Sequence, residues 1–582
     1  MAGERKKDLP QYGRRFFGAA ETFTRIGEGA IGGKAAGLRL IHDHILPAVE
    51  PDEFPSIEVV VPTLTVLTTN LYDAFVERNG LDPSSLAELP DDRIAHELQK
   101  ADLPAEFVGD LWGIVDRVRA PLAVRSSSLL EDALQHPFAG VYATKMTPNN
   151  QPDVEARFRR LVEAIKFVYA STHFRAARSY LRSIRQPAGS EKMAVIVQEI
   201  VGTRWNDRFY PHVSGVARSY NYYPTGHGEP KDGVVSLALG LGKQIVDGGL
   251  SWNYAPPYPR APAPFGGVRD LLRNTQSKFW AVHMGRPPMP DPIRETEYLV
   301  EADLEAAEAD GTLGRLASTY DAASDRVRPG IGAKGPRVLD FAPLLASEDP
   351  PLNDLIRRLL SVAEEKSGAA VEIELALTLP GPGREKARLG VLQVRPMMVS
   401  EGDVDLAGAD LDRPGTLLAS EQALGNGVRD DIMDVVYLKP GAFEARHTPR
   451  IAEDLDAVNR SLLDENRPYL LIGFGRWGSS DPWLGVPVEW GQISGVRAIV
   501  EATLPDMTPD LSQGSHFFHN MIGFQVLYLS VGHTGPHRID WEWLDRRKTV
   551  SETDFVRHVR LERPLRIEVD GRHARGWVRY DE

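Results

Sequence analysis

The sequence predicts an α+β fold that closes with a smaller α/β domain, and three observations carry that prediction. Two strand-like runs, residues 371–377 and 391–397, flank a turn rich in proline and glycine, the pattern of an antiparallel hairpin. A glycine-rich segment at 26–38 runs into residues of helical composition. Beyond residue 417, apolar strands recur with a helical pattern between some of them.

In chain order, the first element is segment 26–38, where Gly27, Gly29, Gly32 and Gly33 precede Lys34. Glycines let a backbone approach a ligand closely, and a following helix would aim amides and a lysine at an anion. No Gly-Lys-Ser/Thr follows at the spacing of a Walker A loop, and a tight turn before a helix accounts for the segment equally well. Next, an apolar strand at 121–124 runs into Arg125, Ser126, Ser127 and Ser128, with Glu131, Asp132 and then Phe138, Ala139 and Gly140 behind it. A guanidinium with hydroxyls at a strand end suits phosphate oxygens, and it is also how an arginine caps a strand. An arginine-rich helical stretch at 156–185 leads to a buried strand at 192–201 that ends in polar residues. Region 255–290, rich in proline and aromatics, reads as an ordered loop excursion.

The hairpin carries the most chemistry. Side chains alternate faces along a strand, so Glu372 and Glu374 share one face with Gln393 and Arg395. Ile373, Leu375, Leu392 and Val394 point the other way. Two carboxylates, an amide oxygen and a guanidinium can hold a divalent cation and a polyphosphate, since magnesium takes carboxylates with substrate phosphates completing its shell. By itself the face reads equally as a solvated surface.

Taken together, Gly32-Gly33-Lys34, Arg125-Ser126-Ser127 with Phe138-Ala139-Gly140, and Gln393-Val394-Arg395-Pro396 resemble the phosphoenolpyruvate synthase / pyruvate phosphate dikinase family. The resemblance is to that family's nucleotide-binding domain, a two-lobed ATP-grasp fold, and it covers roughly residues 21–400 in the family's order. It implies ATP and Mg2+ as cofactors. Lys34 and Arg125 would contact ATP phosphates, and backbone groups around Gln198, Glu199 and Ile200 would read the base edge. Glu374 and Gln393 would hold magnesium, with Glu372 standing where the family has an aspartate, and Arg395 would sit against the transferring phosphoryl group. Strand-like residues at 214–219 match another family strand. The run 237–242 resembles the family's Gly-Leu-Gly-Glu segment but departs from it, because Lys243 replaces the glutamate. A charge reversal beside bound nucleotide bears on metal binding and on acceptor choice.

The expected organisation is an N-terminal ATP-grasp lobe at 21–190, a C-terminal lobe at 191–399, a small acidic linker at 400–416 and an α/β domain at 417–582. In the last of these, strands are expected at 434–438, 469–473, 498–501 and 526–529, and a helix at 451–463. A glycine-rich loop at 473–483 could hold an anion through its amides and Arg476, or could be a tight aromatic turn. His516 lies at an expected helix start, in a strand–loop–helix order like that of the family's swivelling phosphohistidine domain, although the family's own sequence there is absent. A neutral imidazole is a suitable phosphoryl relay, and His519 is a weaker candidate. Residues 417–582 fall far short of the roughly 250 that a C-terminal phosphoenolpyruvate/pyruvate barrel takes, so phosphoenolpyruvate synthesis is not expected.

Composition excludes several classes. With 582 residues, the chain is long enough for three or four domains, each with its own core. It contains no cysteine, so disulfides, thiolate zinc sites and cysteine nucleophiles are excluded. A net charge of −14 argues against nucleic acid as the main partner. No apolar run approaches a membrane span, and the first residues do not form a signal peptide, so no membrane is expected and a cytoplasmic location is. Two readings remain open. One is a phosphotransferase that moves a phosphoryl group from Mg·ATP to an unidentified acceptor, with His516 as candidate relay. The other is a non-catalytic ATP-binding regulatory or scaffold protein. Nothing in the sequence fixes an oligomeric state.

Overall fold

A computed structural model describes the chain apart from residues 1–8, 13–21, 132–139, 185, 188, 190, 223–227, 262–267, 348–349, 382–383, 398, 400–403, 412, 480–482, 506–516, 518–519, 522–523 and 581–582. Mixed α/β architecture is built on several sheets. A five-stranded sheet runs Phe23–Ile26, Leu64–Leu67, Met193–Glu199, Leu122–Ser128, Thr144–Thr147. The strand Met193–Glu199 thus lies inside this first sheet, paired on both sides, although it follows the lobe division expected at 190. Behind the sheet pack helices Val154–Ser171 and Arg175–Ser183, where the arginine-rich helical stretch was expected. An aspartate cap holds the longer one: Asp153 accepts from the Glu155 and Ala156 amides.

The expected hairpin forms the centre of a six-stranded sheet, as Val371–Thr378 and Ala387–Pro396. Its register pairs Glu372 with Arg395 and Glu374 with Gln393, so the four polar residues do meet across two neighbouring strands. A bulge between Glu374 and Leu375 then breaks the strict alternation. On the other side of Val371–Thr378 lies Val213–Arg218, and then Val234–Ala238. The region 255–290 is more than a loop, since it contains the strand Lys278–His283 of a separate four-stranded sheet.

The C-terminal region forms a nine-stranded sheet. Four parallel-paired strands, Asn426–Leu438, Tyr469–Phe474, Val496–Ala502 and Leu527–Val531, stand where apolar strands were expected. Helix Thr448–Asp464 makes the first crossover. The antiparallel half, built on Val556–Asp570 and Arg575–Arg579, was not anticipated. The described part of the stretch read as a linker packs on this sheet, with Leu406 and Leu411 buried against Trp577. Buried apolar side chains fall into two large clusters. One runs continuously from the first sheet into the C-terminal sheet, and the other fills the space behind the hairpin. No helix among the described residues is long and apolar enough to cross a membrane.

Candidate functional site

Between the five-stranded and six-stranded sheets lies a cleft of about 260 Å³. From the first side it is lined by Lys34, Arg125 and residues 198–200, and from the hairpin by Glu374, Gln393 and Arg395. Arg125 joins the two sheets. Its Nη1 donates to the Leu392 carbonyl at 2.9 Å and to Gln198 Oε1 at 3.3 Å. The Nη2 donates to Gln393 Oε1 at 2.9 Å and stands 3.6 Å from Glu374 Oε2. Two oxygen atoms from neighbouring strands, Gln393 Oε1 and Glu374 Oε2, therefore converge on one cationic nitrogen, an arrangement that a small hard cation would also satisfy.

Glu372 is the correction. It was expected beside Glu374 as a metal ligand, yet it does not line the cleft. Its carboxylate is buried and lies between two guanidiniums, with Arg218 Nε donating at 2.6 Å and Arg395 Nε at 2.8 Å. Opposite charges at such range, out of water, hold each other far more tightly than a solvated pair. The consequence is a fixed Arg395, whose guanidinium reaches the cleft from an anchored base.

Of the two readings of the glycine segment, the structure has the tight turn before a helix. The amide of Gly29 donates to Thr68 and Asn70 side chains, and that of Ala30 to Thr69, so these groups brace a turn and do not cradle an anion. What the glycines provide is close approach. A Cβ on Gly32 would stand 1.7 Å from the Ser127 carbonyl oxygen, and one on Gly33 1.7 Å from that of Glu131. Gly32 also has a φ of +76°, which favours glycine. Helix Gly32–Leu40 is thereby pressed onto the Arg125 strand, and Lys34 is delivered to the cleft. There its Nζ pairs with buried Glu131 at 2.7 Å and donates to Ser126 at 3.2 Å.

At the far end, the amides of Glu199 and Ile200 already donate to the carbonyls of Thr63 and Pro121. Burial pushes the Glu199 carboxyl above its ordinary range, against the pull of Arg388. The remaining wall holds Lys243, the departure from the family pattern, with two residues that the sequence did not single out, Asp247 and Glu295. Lys243 pairs with Asp247 at 2.6 Å, and Glu295 lines the same wall. Burial works against the Lys243 charge, but Asp247 and Glu295 more than offset it, so its pKa lies above the ordinary lysine value. Glu295 is held in place by the Thr144 amide and is pushed upward by its own burial. Neither Asp247 nor Glu295 sits in a recognisable pattern; only the fold of loop 285–298 against the first sheet brings them together.

In the C-terminal region, Arg476 is buried and donates to the Gly248 carbonyl at 2.8 Å, tying its loop to the segment that follows Asp247 in the cleft wall. Trp477 packs on Gly473, so of the two readings of this loop its described part fits the aromatic turn. His516 and His519 lie outside the described residues.

A model of the pyruvate phosphate dikinase AMP/ATP-binding domain matches residues 28–410. The chain belongs to that family. Nucleotide binding follows from the membership, and the cleft lies wholly within the matched span. The chain is also similar to YvkC, an uncharacterized phosphotransferase of Bacillus subtilis, at 26% identity over 220 residues, covering 38% of this chain and 22% of that protein. Similarity to the phosphoenolpyruvate synthase of Aeropyrum pernix is 26% over 239 residues, covering 38% of this chain and 25% of that protein. The chain thus spans about a quarter or less of the length of these curated relatives (22% and 25%).

Proposed function

We propose that the chain is an ATP- and Mg2+-dependent phosphotransferase that moves a phosphoryl group from ATP to an acceptor. The observation that carries this reading is the convergence of Arg125, Glu374 and Gln393 from two sheets on one point in the cleft, with Arg395 anchored beside it. Glu374 and Gln393 would hold the magnesium ion, which neutralises charge on the phosphates when bound. Lys34 and Arg125 would pair with phosphate oxygens, each by exchanging a present protein partner for the nucleotide. Arg395 supplies a fixed positive charge for the transferring group, and its rigid seat on Glu372 spares reorganisation during transfer. Residues 198–200 would offer carbonyl groups to the base edge, since two of their amides are engaged. A purely regulatory nucleotide site has no need of an anchored arginine at the transferring phosphate, which favours turnover over the scaffold reading.

A relay through His516 is the finer form of the proposal. In its favour, the neighbouring Phe517 lines a second cavity that adjoins the cleft. Incubation with Mg·ATP, followed by analysis of the nucleotide products and the protein mass, tests both levels. Mg-dependent release of ADP or AMP is expected. An acid-labile, base-stable adduct that disappears in His516→Ala would establish the relay, and turnover without any adduct would exclude it.

A further inference from the structure

Two arginines stand at the hairpin face of the cleft, and they are held in opposite ways. Arg395 is locked, because its Nε donates at 2.8 Å to Glu372, whose side chain is 1% exposed. Arg125 has no such anchor. Its hydrogen bonds among the described residues go to neutral acceptors, the Leu392 carbonyl, Gln198 Oε1 and Gln393 Oε1. The carboxylate beside it, Glu374, stands 3.6 Å away, within ion-pair range but too long for a hydrogen bond. Neutral acceptors hold a guanidinium less strongly than a charged oxygen does, so Arg125 is the arginine that can be drawn away.

Its Nη2 rests on the same two oxygens that would bind magnesium. An ion about 2.1 Å from Gln393 Oε1 would lie within about 5 Å of Nη2, given the 2.9 Å hydrogen bond to that oxygen. A divalent ion and a guanidinium at such range repel strongly in a cleft partly withdrawn from water. The other carboxylates lining the cleft are engaged elsewhere. Asp247 pairs with Lys243 at 2.6 Å, Glu295 takes the Thr144 amide and also acts on Lys243, and Glu199 feels Arg388. A metal ion arriving alone must therefore expel Arg125 from Glu374 and Gln393, and it brings no anion to receive the guanidinium. Phosphate oxygens do receive it, in a bidentate and charge-assisted pair that neutral acceptors cannot match.

We propose that Arg125 is a built-in surrogate for the metal ion: it fills the site formed by Glu374 and Gln393 and excludes divalent cations until nucleotide phosphates draw it away. This rests on the phosphotransferase reading above and adds an order of events to it. Arg125 comes from the first sheet and its partners from the hairpin, so the same contact ties the two sheets together. When Arg125 turns to phosphate, a metal ion on Glu374 and Gln393 restores that tie through the nucleotide. Metal entry is thereby made conditional on nucleotide.

The test titrates the full chain with Mn2+ alone, without added nucleotide, and reads free Mn2+ by electron paramagnetic resonance; manganese suits the same oxygen ligands as magnesium. Circular dichroism first verifies the fold of each variant. Arg125→Met removes the charge at similar side-chain length and should tighten Mn2+ binding about tenfold or more relative to wild type. The double variant Arg125→Met/Glu374→Ala should lose that gain. Glu374→Ala by itself should bind Mn2+ as wild type does, because Arg125 already denies the ion this carboxylate; this comparison decides the matter even where Arg125→Met fails to fold. Equal Mn2+ affinity of wild type and folded Arg125→Met, a gain that survives in the double variant, or a loss of about threefold or more in Glu374→Ala overturns the assignment. Absence of Mg·ATP turnover by wild type would remove the phosphotransferase reading instead, and the Mn2+ comparison would still decide the role of Arg125.

Discussion

Glu372 and Glu374 stand two residues apart on one strand, and their surroundings separate them. The Glu372 side chain is 1% exposed between Arg218 and Arg395, whereas that of Glu374 is 16% exposed in the cleft. Replacing Glu372 with glutamine leaves two buried guanidiniums without their countercharge, so Glu372→Gln should lose about 3–5 kcal/mol of stability in denaturant unfolding. Glu374→Ala opens no core cavity and should shift stability by less than about 1 kcal/mol. If Arg125 pairs with phosphate as proposed, Arg125→Ala should weaken ATP binding by about 1.5–3 kcal/mol in a calorimetric titration; unchanged affinity would leave Arg125 as a brace between sheets. At this scale the sequence was informative where residues sit on regular strands. Period-two alternation placed Glu372, Glu374, Gln393 and Arg395 together, but it could not say that Arg218, from a strand some 150 residues earlier (154 positions before Glu372), would claim Glu372 first.

Among the elements, helix Gly32–Leu40 shows why a glycine run need not be a phosphate loop. Its glycines permit contact with the Arg125 strand, and Gly37 continues the approach onto the hairpin, where a Cβ would lie 2.7 Å from the Val394 carbonyl oxygen. Gly32→Ala should therefore displace the helix, lowering the melting temperature and ATP affinity together. Gly314→Ala, where nothing lies within 4 Å of the added Cβ, should change neither, and equal effects from the two would refute the close-packing account. Elements with continuous apolar runs were legible, including the hairpin and the four parallel-paired strands of the C-terminal sheet. Strand Val556–Asp570 was not, because arginines and glutamates stand at its exposed positions and Pro564 interrupts it. Lys278–His283 was hidden by the proline-rich sequence around it.

For the whole molecule, the continuous cluster from the first sheet to the C-terminal sheet makes docking of the two regions part of the fold. Sequence order alone could suggest a linker, but not the burial of Leu406 and Leu411 against Trp577, which depends on a long-range contact. Acid should weaken the assembled protein through two buried histidines. Burial lowers the pKa of both His173 and His212 to about 4, with nearby arginines adding to the shift. Both are neutral when folded, and His212 Nδ1 accepts from the Leu379 amide. The unfolded chain binds their protons below its pKa near 6.5, so the stabilisation is complete above that pH and is lost as pH falls toward 4. Each contributes up to on the order of 3 kcal/mol over this window, and His212→Gln should flatten the pH dependence of unfolding measured between pH 6.5 and 4.

The central claim is that Mg·ATP is turned over at the point where Arg125, Glu374 and Gln393 converge. It is tested most directly by measuring ATP consumption against magnesium concentration for wild type and for Glu374→Ala, with circular dichroism to verify the fold. The account predicts magnesium-dependent consumption by wild type and none by the folded variant. Consumption by Glu374→Ala with the wild-type magnesium dependence would contradict it.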